Sequence, residues 1–233
     1  HPGFFASNLN DIKTIAELIC IDWDFKQIQT PSYMPVIGII KNRAYLTQAN
    51  DEMRNFFDNI INVLDKKDFK IIEIDPFYDI ELINKSHKSL AAYDIAKVHT
   101  EWFSKYEKLY RNSTVNLIRE GKTIEPDEIA NALEGRSIVK NRIENIMNDK
   151  GIDIIISPSA VGAAPKGLKS TGSPLMNLPW TYAGLPTLSI PAGKSSNNLP
   201  LGIQIAGKYQ KDEELIAFSS SLEKIFDDLY NAN

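Results

Sequence analysis

Amide and ester chemistry needs a nucleophile beside a base, and this chain offers few places where those residue types meet. Lys194-Ser195-Ser196 sets an amine next to two hydroxyls. A serine hydroxyl attacks a carbonyl only when a base converges on its proton, and side chains adjacent in sequence rarely converge on one point. The Asn197-Asn198-Leu199-Pro200 run that follows reads as a turn between two strands. Ser219-Ser220-Ser221 falls inside a helical pattern. His1, His87 and His99 are the available bases for a Ser-His-Asp site, and none stands in the strand-turn context that presents such a nucleophile. Cys20 closes a helical stretch with no basic or helix-N-terminal setting to activate its thiol, so a small buried hydrophobe is expected there. Three scattered histidines and one cysteine give no metal-ligand spacing, and no metal or cofactor is expected.

Binding groups are more concentrated. Between Asp153 and Gly207 the apolar runs Ile154-Ile155-Ile156, Thr187-Leu188-Ser189-Ile190 and Leu201-Gly202-Ile203-Gln204-Ile205 frame about thirty residues that keep neither a helical nor a strand period. Seven of the twelve prolines and seven of the twelve glycines lie between Pro158 and Gly207. So long an irregular connection in a compact domain usually lines a site, and this one is expected to wall a small-molecule pocket. Trp180 reads equally as pocket lining and as a core anchor between prolines. Asn177 and Thr181 have side chains that either hydrogen-bond a substrate or satisfy the loop's own backbone.

Composition narrows the classes of function. The net charge of −4 argues against nucleic-acid binding, which wants a basic face. No apolar run approaches the ~20 residues that span a bilayer, so neither nucleic acid nor membrane is expected as a partner. A single cysteine excludes an internal disulfide framework and points to a reducing, cytoplasmic setting. With 43% hydrophobic and 24% charged residues over 233 positions, one α/β domain with a substantial core is expected.

The elements follow from periodicity. Ser7 or Asn8 can cap a helix whose buried face is Ile12, Ile15, Ala16 and Ile19. Val36–Ile40 reads as a buried strand, and Asn50 caps a helix with Met53, Phe56 or Phe57, Ile60 and Leu64 inward. Lys70–Ile74 is a second strand stopped by Pro76, and this order suggests a parallel crossover. Lys41-Asn42-Arg43-Ala44 contains no glycine-rich phosphate loop. From His87 to about Asn112 one helical face carries Ala91, Ile95, Val98, Trp102 and Leu109, with Trp102, Phe103, Tyr106 and Tyr110 taken as core. Pro126 opens a helix with Ile129, Leu133, Val139, Ile143 and Ile146, closed by Gly151, on which Arg136 and Arg142 read as solvated. A last helix starts at Asp212-Glu213-Glu214 with Leu215, Phe218, Leu222 and Ile225 inward.

Laid end to end, these residues resemble the C-terminal half of amidase-signature enzymes, which hydrolyse or transfer carboxamide groups. The resemblance rests on Asp153–Pro158, Gly162-Ala163-Ala164-Pro165, Ser170–Pro174, Met176–Thr181, Ala183-Gly184-Leu185-Pro186, Ile190-Pro191-Ala192-Gly193 and Leu199–Gln204. Gly3–Asp11 is similar to the family's segment just after its catalytic signature. The family fold implied is α/β, a mixed central sheet with helices on both faces. The chemistry implied is acyl transfer by a serine, a second serine in a cis peptide bond and a lysine base, with backbone N–H groups of the same glycine- and serine-rich run as oxyanion hole.

No such run occurs in these 233 residues. The resemblance therefore implies a single C-terminal piece of the fold, with no catalytic residue in this chain and the reacting groups on an upstream segment of the same protein. Thr171, Gly172, Asn177, Trp180 and Thr181 are implied to face a small-molecule amide substrate. Without the upstream part, an apolar sheet edge is expected to be exposed, which leaves a homodimer open. The run Ser170–Thr181 looks more like the small-molecule amidases than the amidotransferase component that acts on misacylated tRNA. A truncated homologue that only binds a ligand or partner is the non-catalytic alternative.

Overall fold

The computed structural model describes residues 3–24 and 31–232. Five strands form one mixed sheet: β1 (Ile37–Ile40), β2 (Ile71–Ile74), β3 (Ile154–Pro158), β4 (Thr187–Lys194) and β5 (Pro200–Ala206), in the order β2-β1-β3-β5-β4. β1 runs parallel to both β2 and β3, whereas β5 is antiparallel to β3 and to β4. The crossover expected from the strand-helix-strand pattern is present, with α3 (Asp51–Asp65) between β1 and β2. Asn50 caps α3 by accepting from the Met53 N–H at 2.8 Å.

Alternation along the strands sends side chains to two helix layers. Ile154, Ile156, Ile203 and Ile205 pack with Phe57, Ile60 and Leu64 of α3, Leu9 of α1 (Leu9–Ile19), and Leu215, Phe218, Leu222 and Phe226 of α9 (Asp212–Ala232). Ile40, Ile155 and Ala206 face the other layer, with Tyr45 of α2 (Arg43–Leu46), Ile80 and Ile83 of α4 (Ile80–Val98), Ile143 and Met147 of α7 (Pro126–Lys150), and Trp180 of α8 (Leu178–Ala183). This is the mixed α/β architecture the sequence implied.

Local departures have physical causes. Cys20 is exposed, not buried: α1 stops at Ile19, and Cys20 leaves the helical period in an extended conformation. Burial and the charges of Asp212 and Glu213 push its thiol pKa up, so exposure does not make it a good nucleophile. In α1 the buried residues are Leu9 and Ala16, while Ile19 is exposed.

The long helix begins at Ile80 and is interrupted at His99 before α5 (Thr100–Tyr106). Its buried face is Ile83, Ser89, Ala92 and Ala96, continued by Phe103 in α5. Val98, Trp102, Tyr106 and Leu109, expected inward, point to solvent. The phase differs because small residues mark the contact: Gly121, at the end of α6 (Asn112–Gly121), sits so close to α4 that a Cβ there would overlap the Ala92 carbonyl.

In α7, Leu133 is exposed while Ala132 and Met147 are buried. Its two arginines are not solvated ends either. Arg142 donates to both carboxylate oxygens of Asp79 (2.6 and 2.9 Å) and to the Pro76 carbonyl, and Arg136 Nε donates to the Tyr182 carbonyl at 3.1 Å. They tie α7 to the start of α4 and to α8. Pro126 at the first turn and Gly151 at φ 62° end α7 as expected.

A polar shelf at the sheet edge as candidate functional site

The two faces of β3, β5 and β4 differ in chemistry. Registers pair Ile155 with Ala206 and Thr187, then Ser157 with Gln204 and Ser189, then Gly202 with Pro191. Ser159 extends the grid, its N–H donating to the Gly202 carbonyl at 3.2 Å. One face of three adjoining strands therefore holds serines, a glutamine, a threonine and small residues, while the other is aliphatic. On edge strand β4 the polar face is open: Thr187, Ser189 and Pro191 are exposed. The expected apolar edge is thus a polar one, because β4 turns its aliphatic side chains toward α9.

Deeper in, the shelf holds buried polar atoms. Gln204 is 1% exposed and its Nε2 has no hydrogen-bond partner, and the same holds for Ser157 Oγ. The Tyr45 hydroxyl donates to the Met176 carbonyl at 3.0 Å, with Ser157 and the Trp180 indole beside it, although neither of those groups completes a hydrogen bond in good geometry. Burial dominates this hydroxyl and pushes its pKa up to about 12.

The irregular segment after β3 is pinned at its feet. The Asn50 N–H donates to the Val161 carbonyl at 2.7 Å, and Asn177 Nδ2 donates to the Ser159 carbonyl at 3.2 Å. Gly162 fits against Asn50, where a Cβ would strike the amide. Between the feet, Ala164 to Gly172 is exposed throughout. Thr171 and Gly172 sit on this crest, Gly172 at φ 98° with its N–H donating to Ser170 Oγ at 3.1 Å. The segment is not wholly irregular, since Leu178–Ala183 folds as α8, with Pro179 in its first turn and Gly184 left-handed after it.

The five residues implied by the sequence thus occupy three levels. Thr171 and Gly172 are on the crest, Asn177 is at the foot bonded to Ser159, and Trp180 is in the core with its ring edge-on to Phe77 at 5.0 Å. Thr181 is exposed and shares with Thr187 a cavity of about 540 Å³, lined also by Phe4, Cys20, Trp23 and Asp212. Ser157, Ser189 and Gln204 are not among the five. The signal that finds them is alternation: Thr187-Leu188-Ser189-Ile190 and Gly202-Ile203-Gln204-Ile205 each place polar or small residues on one face.

The hydroxyl and amine candidates are engaged elsewhere. Lys194 Nζ lies over the Tyr230 ring at 5.0 Å, and Ser195 Oγ accepts from the Leu199 N–H at 3.1 Å within the hairpin turn. Ser219, Ser220 and Ser221 each donate to a backbone carbonyl of their own helix. His87, half-buried, has its pKa lowered by burial and by Arg136, and His99 Nδ1 is 2.8 Å from the Tyr110 hydroxyl. Among the described residues no group of three or more His, Cys, Asp or Glu is placed to hold a metal ion.

A family model described as Amidase matches residues 1–216. The A-type subunit of glutamyl-tRNA(Gln) amidotransferase from Fusobacterium nucleatum subsp. nucleatum is 26% identical over 273 aligned residues, which take in 94% of this chain and 55% of that protein. The crystal structure of an amidase superposes with a TM-score of 0.80 at 18% identity, over 93% of this chain and 51% of that one. A 6-aminohexanoate cyclic dimer hydrolase complexed with substrate gives 0.76 at 15% identity, over 95% and 54%. The chain spans about half the length of these relatives.

Proposed function

The chain belongs to the Amidase family, and from that premise we propose that it is the C-terminal, substrate-walling part of an enzyme that cleaves small carboxamides by serine acyl transfer. In this reading residues 1–233 form one piece of the family domain, and the nucleophile and base lie on chain outside it. The observation that carries the reading is the polar row Ser157–Gln204–Ser189, which runs from the core to an open sheet edge under a pinned irregular segment. Two of its members are buried without partners. Leaving such groups unpaired costs on the order of 1–3 kcal/mol each, a cost that a partner docked along the shelf would relieve.

Roles for the five sequence-derived residues follow as part of the proposal. Thr171 and Gly172 on the crest close over the substrate, Asn177 and Thr181 flank it with hydrogen-bonding groups, and Trp180 holds the wall from behind. Ammonia release from aliphatic and aryl amides, measured on this chain and on one extended upstream through a serine-rich signature, tests the reading. Turnover only by the extended chain supports it.

A second reading is an A-type component of a tRNA-dependent amidotransferase. It is favoured by the name of the relative that aligns over 94% of this chain. Glutamine included among the amides separates the two: glutamine turnover that rises with glutamyl-tRNA(Gln) favours the amidotransferase, and turnover of simple amides without tRNA favours the hydrolase.

A further inference from the structure

The strongest feature outside the shelf lies on the helical lobe at the end of α4. His99 only dents the helix: its N–H still donates to the Ile95 carbonyl (3.0 Å), and the Phe103 N–H donates to the His99 carbonyl (2.7 Å). The two helices therefore present one continuous surface. Its inward side is spent on a satellite core of Ala96, Phe103 and Ile118, with Ile95, Tyr110 and Val115 around them. Its outward side carries Val98, Trp102, Tyr106 and Leu109, at helical spacing, exposed by 70%, 58%, 53% and 83%. Large apolar groups exposed together at that spacing mark an interaction surface.

Charge says what kind. The whole chain carries −4, yet from Lys97 to Lys122 there are six basic and three acidic residues. Glu107 and Glu120 are taken up in bridges to Arg119 and Lys88. Lys97, Lys105, Lys108 and Arg111, beside the apolar row, make no ion pair among the described residues. Trp102 is held in place edge-on to the His99 ring at 5.6 Å. Trp and Tyr with aliphatic neighbours and a basic rim is the composition that settles at the headgroup level of a bilayer. Val98 and Leu109 offer nothing to a nucleic-acid backbone or a base stack. Among the described residues no helix is long and apolar enough to cross a membrane, so the contact would be peripheral.

We propose that the Val98–Leu109 face docks on an anionic lipid surface, with Val98, Trp102, Tyr106 and Leu109 entering the interface and Lys97, Lys105, Lys108 and Arg111 meeting the headgroups. This holds whether or not the amide chemistry proposed above is right. Each basic residue near such a surface contributes about 1 kcal/mol, so loss of two reads as a drop on the order of tenfold or more.

The test is co-sedimentation of the full 233-residue chain, and of the upstream-extended chain, with phosphatidylcholine vesicles containing or lacking phosphatidylglycerol. Binding is expected only to the anionic vesicles, to weaken with salt, to fall at least tenfold in K105E/K108E, and to be lost in W102S/L109S. Both pairs are on the surface, and circular dichroism establishes that they fold. W102F should retain binding but remove the blue shift of indole fluorescence on vesicle addition. No binding, equal binding to neutral vesicles, or binding unchanged in W102S/L109S overturns the proposal. So does binding by the short chain that the extended chain lacks, because the face would then be one the rest of the protein covers.

Discussion

Gln204 shows most clearly how one side chain separates stability from function. Its amide is buried and its Nε2 unpaired, so it adds nothing to the fold that an apolar group of similar size would not. Replacing an unpaired buried polar group by an isosteric apolar one is neutral or stabilising, within about 1 kcal/mol. Gln204→Leu is expected to melt at or above the temperature of the unaltered chain, while an extended chain carrying it loses at least tenfold in ammonia release. A clear loss of thermal stability with full activity would make Gln204 a structural residue only. Tyr45 is the opposite case, since its hydroxyl has a partner in the Met176 carbonyl. Tyr45→Phe strands that carbonyl and should cost about 1–3 kcal/mol near neutral pH. The sign with pH follows from its raised pKa. The unfolded hydroxyl ionises near 10, the folded one at about 12, so the folded state holds a proton that the unfolded state has lost and stability falls across that window. Denaturant titrations from pH 9 to 12 should show the gap between Tyr45→Phe and the parent narrowing as pH rises.

At the scale of elements, contacts between helices depend on where small residues fall. Gly121 lets α6 approach α4 at Ala92 and Ala96, and Gly121→Ala is expected to lower stability by about 1–3 kcal/mol through forced separation of the two helices. Thermal melts would read this directly, and an unchanged melting temperature would show that the contact can open freely. The same residues explain what the sequence could and could not reveal. The β1-α3-β2 crossover, the hairpin strands β4 and β5, the cap at Asn50 and the stop at Gly151 are all legible, because each rests on short-range chemistry. The phase of α4 and α5 is not, because it is set by Ala92, Ala96 and Gly121, small residues that carry no hydrophobic period. The mode of attachment of Arg142 is hidden for a related reason: its partner, Asp79, lies 63 positions away. In the candidate site, the irregular wall is legible from its prolines and glycines, whereas the row Ser157–Gln204–Ser189 exists only once three strands are in register.

Across the whole molecule, the sheet is asymmetric in a way that assigns its parts. Strands β2, β1 and β3 form a parallel half with a complete aliphatic interior, and β5 and β4 extend it to an edge whose polar face is open. Pro191, and the irregularity between Pro191 and Gly193, interrupt that edge, a feature that discourages indiscriminate strand pairing. The 233 residues thus divide into a wall, a shelf and a covering of helices, and in the proposed enzyme the acyl-transfer groups stand on other parts of the protein.

Ammonia release from a panel of aliphatic and aryl amides bears most directly on this division, compared between the 233-residue chain alone and the chain extended upstream through a serine-rich signature. No release above the buffer rate is predicted from the former. Turnover is predicted from the latter, abolished when the signature serine is changed to alanine. Amide turnover by the 233 residues alone, at a rate matching the extended chain, would contradict the division.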